Sequence, residues 1–154
     1  MKDKQVLLTG GTGGLGLGVT PMVLAQGAFV TLPYRKSEDV ERLKQLIPSA
    51  DLNRVQFISA DLTSESSVKN LVNSMVKVDV LIHLVGGFSM GKTEEYSFEN
   101  WKKDFDLNLN TTFLICKYCL INMLRNDYGR IVTVGARGAI EPVGGLAAYC
   151  ASKA

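Results

Sequence analysis

The run Val78-Asp79-Val80-Leu81-Ile82-His83-Leu84-Val85 is apolar at nearly every position, without the alternation of a strand that has one wet face. Such a segment needs cover on both sides, so it predicts a central strand of a sheet packed between helices. That requirement points to an α/β architecture.

The rest of the chain supplies the partners such a strand needs. Gln5 to Thr9 is a short apolar run ending in glycines, and Leu15 to Gln26 continues as a helix closed by Gly27, with Pro21 inside it expected to bend it. Ala28 to Leu32 reads as a second strand, followed by a polar helix from about Glu38 to Ile47 that Pro48 helps to stop. Arg54 to Ser59 reads as a third strand, and Ser64 or a neighbour is placed to cap a helix running to about Val76. A long helix is expected from about Phe105 to Arg125, where Phe113, Cys116, Leu120 and Leu124 recur at helical spacing, and Arg130 to Val134 reads as the fifth strand.

Strands alternating with helices predict a Rossmann-type, doubly wound parallel sheet with helices on both faces. No internal repeat, low-complexity stretch or linker divides the chain, so residues 1–154 form one domain. The last helix begins near Ala148 and is under two turns long by Ala154, short enough to depend on packing partners.

Composition narrows the function. Hydrophobic content of 46% with 21% charged residues is ordinary for a globular domain and excludes disorder. The net charge of +2 comes without any Lys/Arg stripe, which excludes nucleic acid as the expected partner. No apolar stretch approaches membrane-spanning length, and the first strand starts too close to Met1 for a signal peptide, so a cytoplasmic protein is expected. Cys116, Cys119 and Cys150 are then reduced thiols. Cys116-Lys117-Tyr118-Cys119 has metal or redox spacing, but it lies mid-helix in a chain with one histidine and reads as core, with no metal site.

Thr9-Gly10-Gly11-Thr12-Gly13-Gly14-Leu15-Gly16 joins the first strand to the first helix. Glycines there allow positive φ and let the backbone approach a pyrophosphate, whose charge the helix N-terminus favours. The strand, turn and helix context makes this a candidate dinucleotide site.

The spacing of these glycines resembles the short-chain dehydrogenase/reductase family, and the resemblance continues through Asp61-Leu62, Val85-Gly86-Gly87, Asn108-Leu109-Asn110, Gly129-Arg130-Ile131-Val132 and Tyr149-Cys150-Ala151-Ser152-Lys153. It covers the N-terminal part of a family domain, which implies a domain truncated at its C-terminal end and a homo-oligomer, dimer or tetramer, for a full-length form. The resemblance implies that Thr9, Gly10, Thr12, Gly14, Leu15, Gly16, Tyr34, Arg35, Asp61, Leu62, Val85 and Gly86 bind a nicotinamide cofactor. It also implies that Asn108, Tyr149 and Lys153 are catalytic.

An acidic residue at the end of the second strand would repel a 2′-phosphate, and here Tyr34 is followed by Arg35 and Lys36. Two cations suit a phosphate, so NADP is favoured, with NAD possible.

Tyr149 and Lys153 are four residues apart and share a helix face. A free phenol has a pKa of about 10, and a nearby ammonium lowers it. Tyr149 is thereby suited to act as general acid in carbonyl reduction and as base in reverse.

Ala136 stands where the family carries a serine that hydrogen-bonds the substrate carbonyl. Gly135-Ala136-Arg137-Gly138-Ala139-Ile140-Glu141, with Val85-Gly86-Gly87-Phe88 upstream, resembles the dihydropteridine reductase branch, which also has alanine here. The expected function is an NADP-dependent oxidoreductase moving hydride to and from a carbonyl or carbonyl-like small molecule. The alternatives are a truncated or degenerate nucleotide-binding protein without turnover, and pterin reduction. His83 replaces a family asparagine and reads as a buried strand histidine with a satisfied ring.

Overall fold

Five short apolar runs pair side by side in the computed structural model of the protein, which describes residues 1–141 and 143–154. They are β1 (Gln5–Thr9), β2 (Phe29–Tyr34), β3 (Val55–Ser59), β4 (Val80–His83) and β5 (Arg130–Thr133), all parallel, in the order β3-β2-β1-β4-β5. The helices between them are α1 (Gly14–Ala25), α2 (Ser37–Lys44), α3 (Glu65–Asn73), α4 (Phe98–Phe105), α5 (Thr111–Arg125) and α6 (Ala147–Lys153). The doubly wound α/β fold expected from the alternation is the fold observed.

Two cores explain why the central strands are apolar throughout. Val6, Leu8, Val30, Leu32, Val80 and Ile82 face one way and pack with Val23, Leu24 and Leu43 of α1 and α2. Leu7 and Leu81 face the other way and pack with α3 and α5 through Val68, Leu71, Val72, Ile115 and Cys119. Every residue of β4 is buried, as its apolar run requires.

Several boundaries differ from the sequence reading. β4 ends at His83 rather than Val85, although the Leu84 amide still donates to the Thr9 carbonyl at 2.9 Å. β2 continues through Pro33 to Tyr34 because the β1 ladder has already ended at the Leu7–Thr31 pair, so the missing proline N–H interrupts nothing on that side. α1 likewise runs through Pro21, and Ser64 caps α3 by accepting from the Ser67 amide.

The expected helix from Phe105 is a longer assembly. α4 starts behind Ser97, whose hydroxyl accepts the Asn100 amide at 3.1 Å, and a π turn over Asp106–Asn110 joins it to α5. The inward face of α5 is Thr111, Ile115, Cys119 and Met123, whereas Phe113, Leu120 and Leu124 of the other apolar stripe are exposed and Cys116 is half-buried. β5 is the sheet edge and its four residues are exposed.

Chain order runs outward from β1 to β3 and then returns to β4 on the opposite side of β1. This reversal leaves a crevice at the carboxyl ends of β1 and β4, the usual ligand position in such sheets.

Candidate active site

Close packing around the glycine-rich turn follows from side chains that are not there. Gly10 has φ +74°, and a Cβ on it would lie 2.9 Å from the Leu84 carbonyl carbon and the Val85 nitrogen. A Cβ on Gly16 would lie 2.3 Å from the Gly10 and Gly11 backbone, so α1 could not approach its own entry turn. Thr20 donates to the Gly11 carbonyl at 3.1 Å and Arg42, reaching over from α2, donates to the Thr12 carbonyl at 3.1 Å. Arg42 was not singled out by its sequence position.

A cleft of about 450 Å³ opens beside this turn. Gly10, Thr12, Gly14, Leu15, Tyr34, Arg35, Asp61, Leu62, Val85 and Gly86 all line it, ten residues named as cofactor contacts from the sequence. Thr9 and Gly16 do not line it: both are buried, Thr9 bonded to His83 and Gly16 shaping the turn from within. Lys36 and Thr63 add to the wall under the second and third strands, and Leu107 and Thr111 close the opposite side. The last two flank Asn108 by one and three residues, so only the π turn reveals them.

Asp61 sits at the mouth, where the Thr63 amide and hydroxyl both donate to its Oδ1, at 2.9 and 2.8 Å. These bonds, helped by the Arg35 charge, hold its carboxyl below the usual range. Among the described residues, no three His, Cys, Asp or Glu side chains converge on a possible metal position.

At the inner end of the cleft the C-terminal helix meets the β4 loop. Lys153 Nζ donates to the Val134 carbonyl at 3.1 Å, and a Cβ on Gly86 would lie 2.9 Å from that Nζ and 3.0 Å from Asn108 Oδ1. Gly86, Asn108 and Lys153 are therefore brought to one point, and burial lowers the Lys153 pKa from its ordinary value. Tyr149, one turn earlier on α6, is half-buried with the Phe88 ring 5.6 Å away and tilted by 54°.

Asn108 is buried and its amide is engaged on all sides. Nδ2 donates to the Gly87 carbonyl at 2.9 Å and to Ser152 Oγ at 3.0 Å, while the Gly87 amide donates to Oδ1 at 3.0 Å. Ser152 Oγ in turn donates to the Tyr149 carbonyl at 3.0 Å. These bonds answer the difficulty of holding a helix under two turns long. Ser152 was missed in the sequence, where its only signal is a place three residues after Tyr149, on the turn facing the core.

Two neighbours depart from a simple reductase pattern. Ala136 has no hydroxyl, and the adjacent Arg137 is 86% exposed at its side chain and bound to Glu141 at 2.6 Å, so it is not a replacement donor. His83 is 2% exposed, with Nδ1 2.6 Å from Thr9 Oγ1. Its Nε2 finds no partner among the described residues, which corrects the expectation of a satisfied ring. Burial first, and the Lys153 charge second, push its pKa down to about 4, so the ring is neutral at ordinary pH.

Comparison with known proteins identifies the family. The short chain dehydrogenase family matches residues 4–154. YtkK of Bacillus subtilis, named as an oxidoreductase, is 33% identical over 150 residues, covering 93% of this chain and 58% of that protein. An NAD-dependent glycerol dehydrogenase of Listeria innocua is 28% identical over 156 residues, covering 99% of this chain and 60% of that one. The solved structure of ElxO with NADP bound superposes with a TM-score of 0.91 at 26% identity, covering 99% of this chain and 63% of that chain. The chain thus spans about three fifths of the length of the relatives it matches. No described helix is long and apolar enough to cross a membrane. With a five-stranded parallel sheet and a family match that runs over residues 4–154, the chain belongs to the short-chain dehydrogenases.

Proposed function

We propose that the protein is an NADP-dependent oxidoreductase acting on a carbonyl or carbonyl-like small molecule, with Tyr149 and Lys153 as its proton relay. The observation that carries this reading is the convergence of Lys153, Gly86 and Asn108 at the inner end of the cleft, one helical turn from Tyr149.

The residues present fit a dinucleotide. Gly10 and Gly16 form a cradle that a Cβ would fill, α1 points its N-terminus at it, and Arg35 and Lys36 offer two cations where a 2′-phosphate would lie. A bound nicotinamide dinucleotide supplies the hydride. Tyr149 donates its hydroxyl proton to the substrate oxygen in reduction and takes a proton from an alcohol in oxidation. Lys153, one helical turn further along the same face of α6, is the cation that would accompany this proton transfer. Asn108 joins the relay by fixing the β4 loop and α6 relative to one another, so that Tyr149 and Lys153 keep their place at the cleft.

A second reading, nucleotide binding without turnover, is favoured by Ala136 and by the outward, Glu141-bound Arg137. Loss of one oxyanion donor costs on the order of 10² to 10³ in rate. Titration with NADPH, followed by its oxidation with ketones and quinonoid pterins, separates the two. The oxidoreductase reading expects binding and turnover that Tyr149→Phe abolishes. Absence of binding sinks the cofactor assignment, and binding with turnover appearing only in Ala136→Ser establishes the second reading.

A further inference from the structure

Beyond the reacting groups, the segment linking β4 to α4 carries one aromatic side chain directly onto the tyrosine. Phe88 lies with its ring centroid 5.6 Å from that of Tyr149, tilted by 54°, an attractive aromatic geometry. It is nonetheless 63% exposed, so the rest of the ring is open to solvent.

Three ties hold this segment in place. Asn108 grips Gly87 immediately before it. Ser89, immediately after it, donates to the buried Asp104 carboxylate at 3.0 Å and lies 2.5 Å from the Tyr96 hydroxyl, which donates to the same carboxylate at 2.7 Å. The Gly91 amide then donates to the Gly145 carbonyl at 3.0 Å, joining the segment to the loop that enters α6. Phe88 is therefore presented to Tyr149 from a braced backbone.

The two joined loops carry exposed apolar side chains, and among the described residues they offer no unpaired cation to an anionic substrate, their charges being two ion pairs and the exposed Glu94. Met90, Ile140 and Val143 are all exposed on them. Arg137 pairs with Glu141 at 2.6 Å and Lys92 with Glu95 at 3.7 Å. Ala136 adds a methyl where a hydroxyl would have given a polar handle.

We propose that Phe88 is the specificity-determining wall of the substrate site, and that the substrate is an uncharged, flat ring compound lying against Phe88 with its reacting group at the Tyr149 hydroxyl. This rests on the reading of Tyr149 as proton donor. The physical reason is that a tilted Phe/Tyr pair forms an aromatic corner, which a flat ring fills with more contact than an open chain does. With no serine at position 136, recognition depends more on contact area than on hydrogen bonding.

The test compares the wild-type protein with Phe88→Ala and Phe88→Tyr, using 1-tetralone, dihydroxyacetone and pyruvate with NADPH. The expected result is a preference for 1-tetralone whose KM rises roughly tenfold in Phe88→Ala, with kcat held and the KM restored in Phe88→Tyr. Preference for dihydroxyacetone or pyruvate, or an equal loss on all three in Phe88→Ala, overturns the proposal while leaving hydride chemistry intact. If no carbonyl turns over, the oxidoreductase reading fails by itself. Saturation-transfer NMR with 1-naphthol then reads the subsite: transfer lost in Phe88→Ala supports it, and transfer absent from wild type or unchanged in the variant refutes it.

Discussion

The Asn108 side chain and the Gly87 peptide hold one another by two opposed hydrogen bonds, Nδ2 to the Gly87 carbonyl at 2.9 Å and the Gly87 amide to Oδ1 at 3.0 Å. The same Nδ2 reaches Ser152 at 3.0 Å, so one amide sets both the β4 loop and α6. Asn108→Ala leaves these groups without that partner, at a cost of about 1–3 kcal/mol in unfolding free energy. Urea denaturation reads this directly, and kcat should fall further than stability explains, because Tyr149 and Lys153 lose their reference to the cleft.

His83 makes stability depend on mild acid. Its folded pKa of about 4 lies below the ordinary 6.5, so the unfolded chain binds more protons between those values. Stability is therefore lost as pH falls through 6.5 and the loss is complete near 4, amounting to about 3 kcal/mol from the size of the shift. The groups responsible are the burial of the ring beside Thr9 and the Lys153 ammonium. Replacing His83 with Asn should flatten this slope in thermal melts between pH 4 and 6.5. An unchanged slope would assign it elsewhere.

Two glycines on one helix should respond oppositely to the same methyl group. Gly16→Ala forces a Cβ to 2.3 Å from backbone atoms of Gly10 and Gly11, so the entry turn must move. Loss of NADPH binding and a lowered Tm are expected. Gly18→Ala meets nothing within 4 Å and lies inside α1, so it should raise stability by about 0.5–1 kcal/mol through helix propensity. Calorimetry on the pair checks both signs.

Cofactor choice should rest on Arg35. Its charge lies at the cleft mouth near Asp61, with Lys36 beside it. Arg35→Ala is expected to weaken NADPH binding by roughly tenfold and to leave NADH nearly unchanged, since only the former carries the 2′-phosphate. The NADPH effect should shrink in high salt. Equal weakening of both cofactors would remove the NADP preference.

Local pattern was enough for the strands, the glycine turn and the Tyr149/Lys153 helix, because an apolar run, a helix cap and a four-residue spacing each depend on only a few neighbouring residues. Ten of the cleft residues came instead from the family resemblance that the glycine turn, Asp61-Leu62 and Val85-Gly86 carry, not from local pattern alone.

The tertiary structure decided what several equivalent local choices could not. α5 carries two apolar stripes, and only the positions of β4 and α3 select Thr111, Ile115, Cys119 and Met123 as the inner one. The π turn, the role of Ser152 and the outward turn of Arg137 are likewise settled by partners far away in the chain or across a loop. Asn108 meets Ser152 across 44 residues. Periodicity reports which residues share a face, but a hydrogen bond between distant segments forms only after the sheet has brought their ends together.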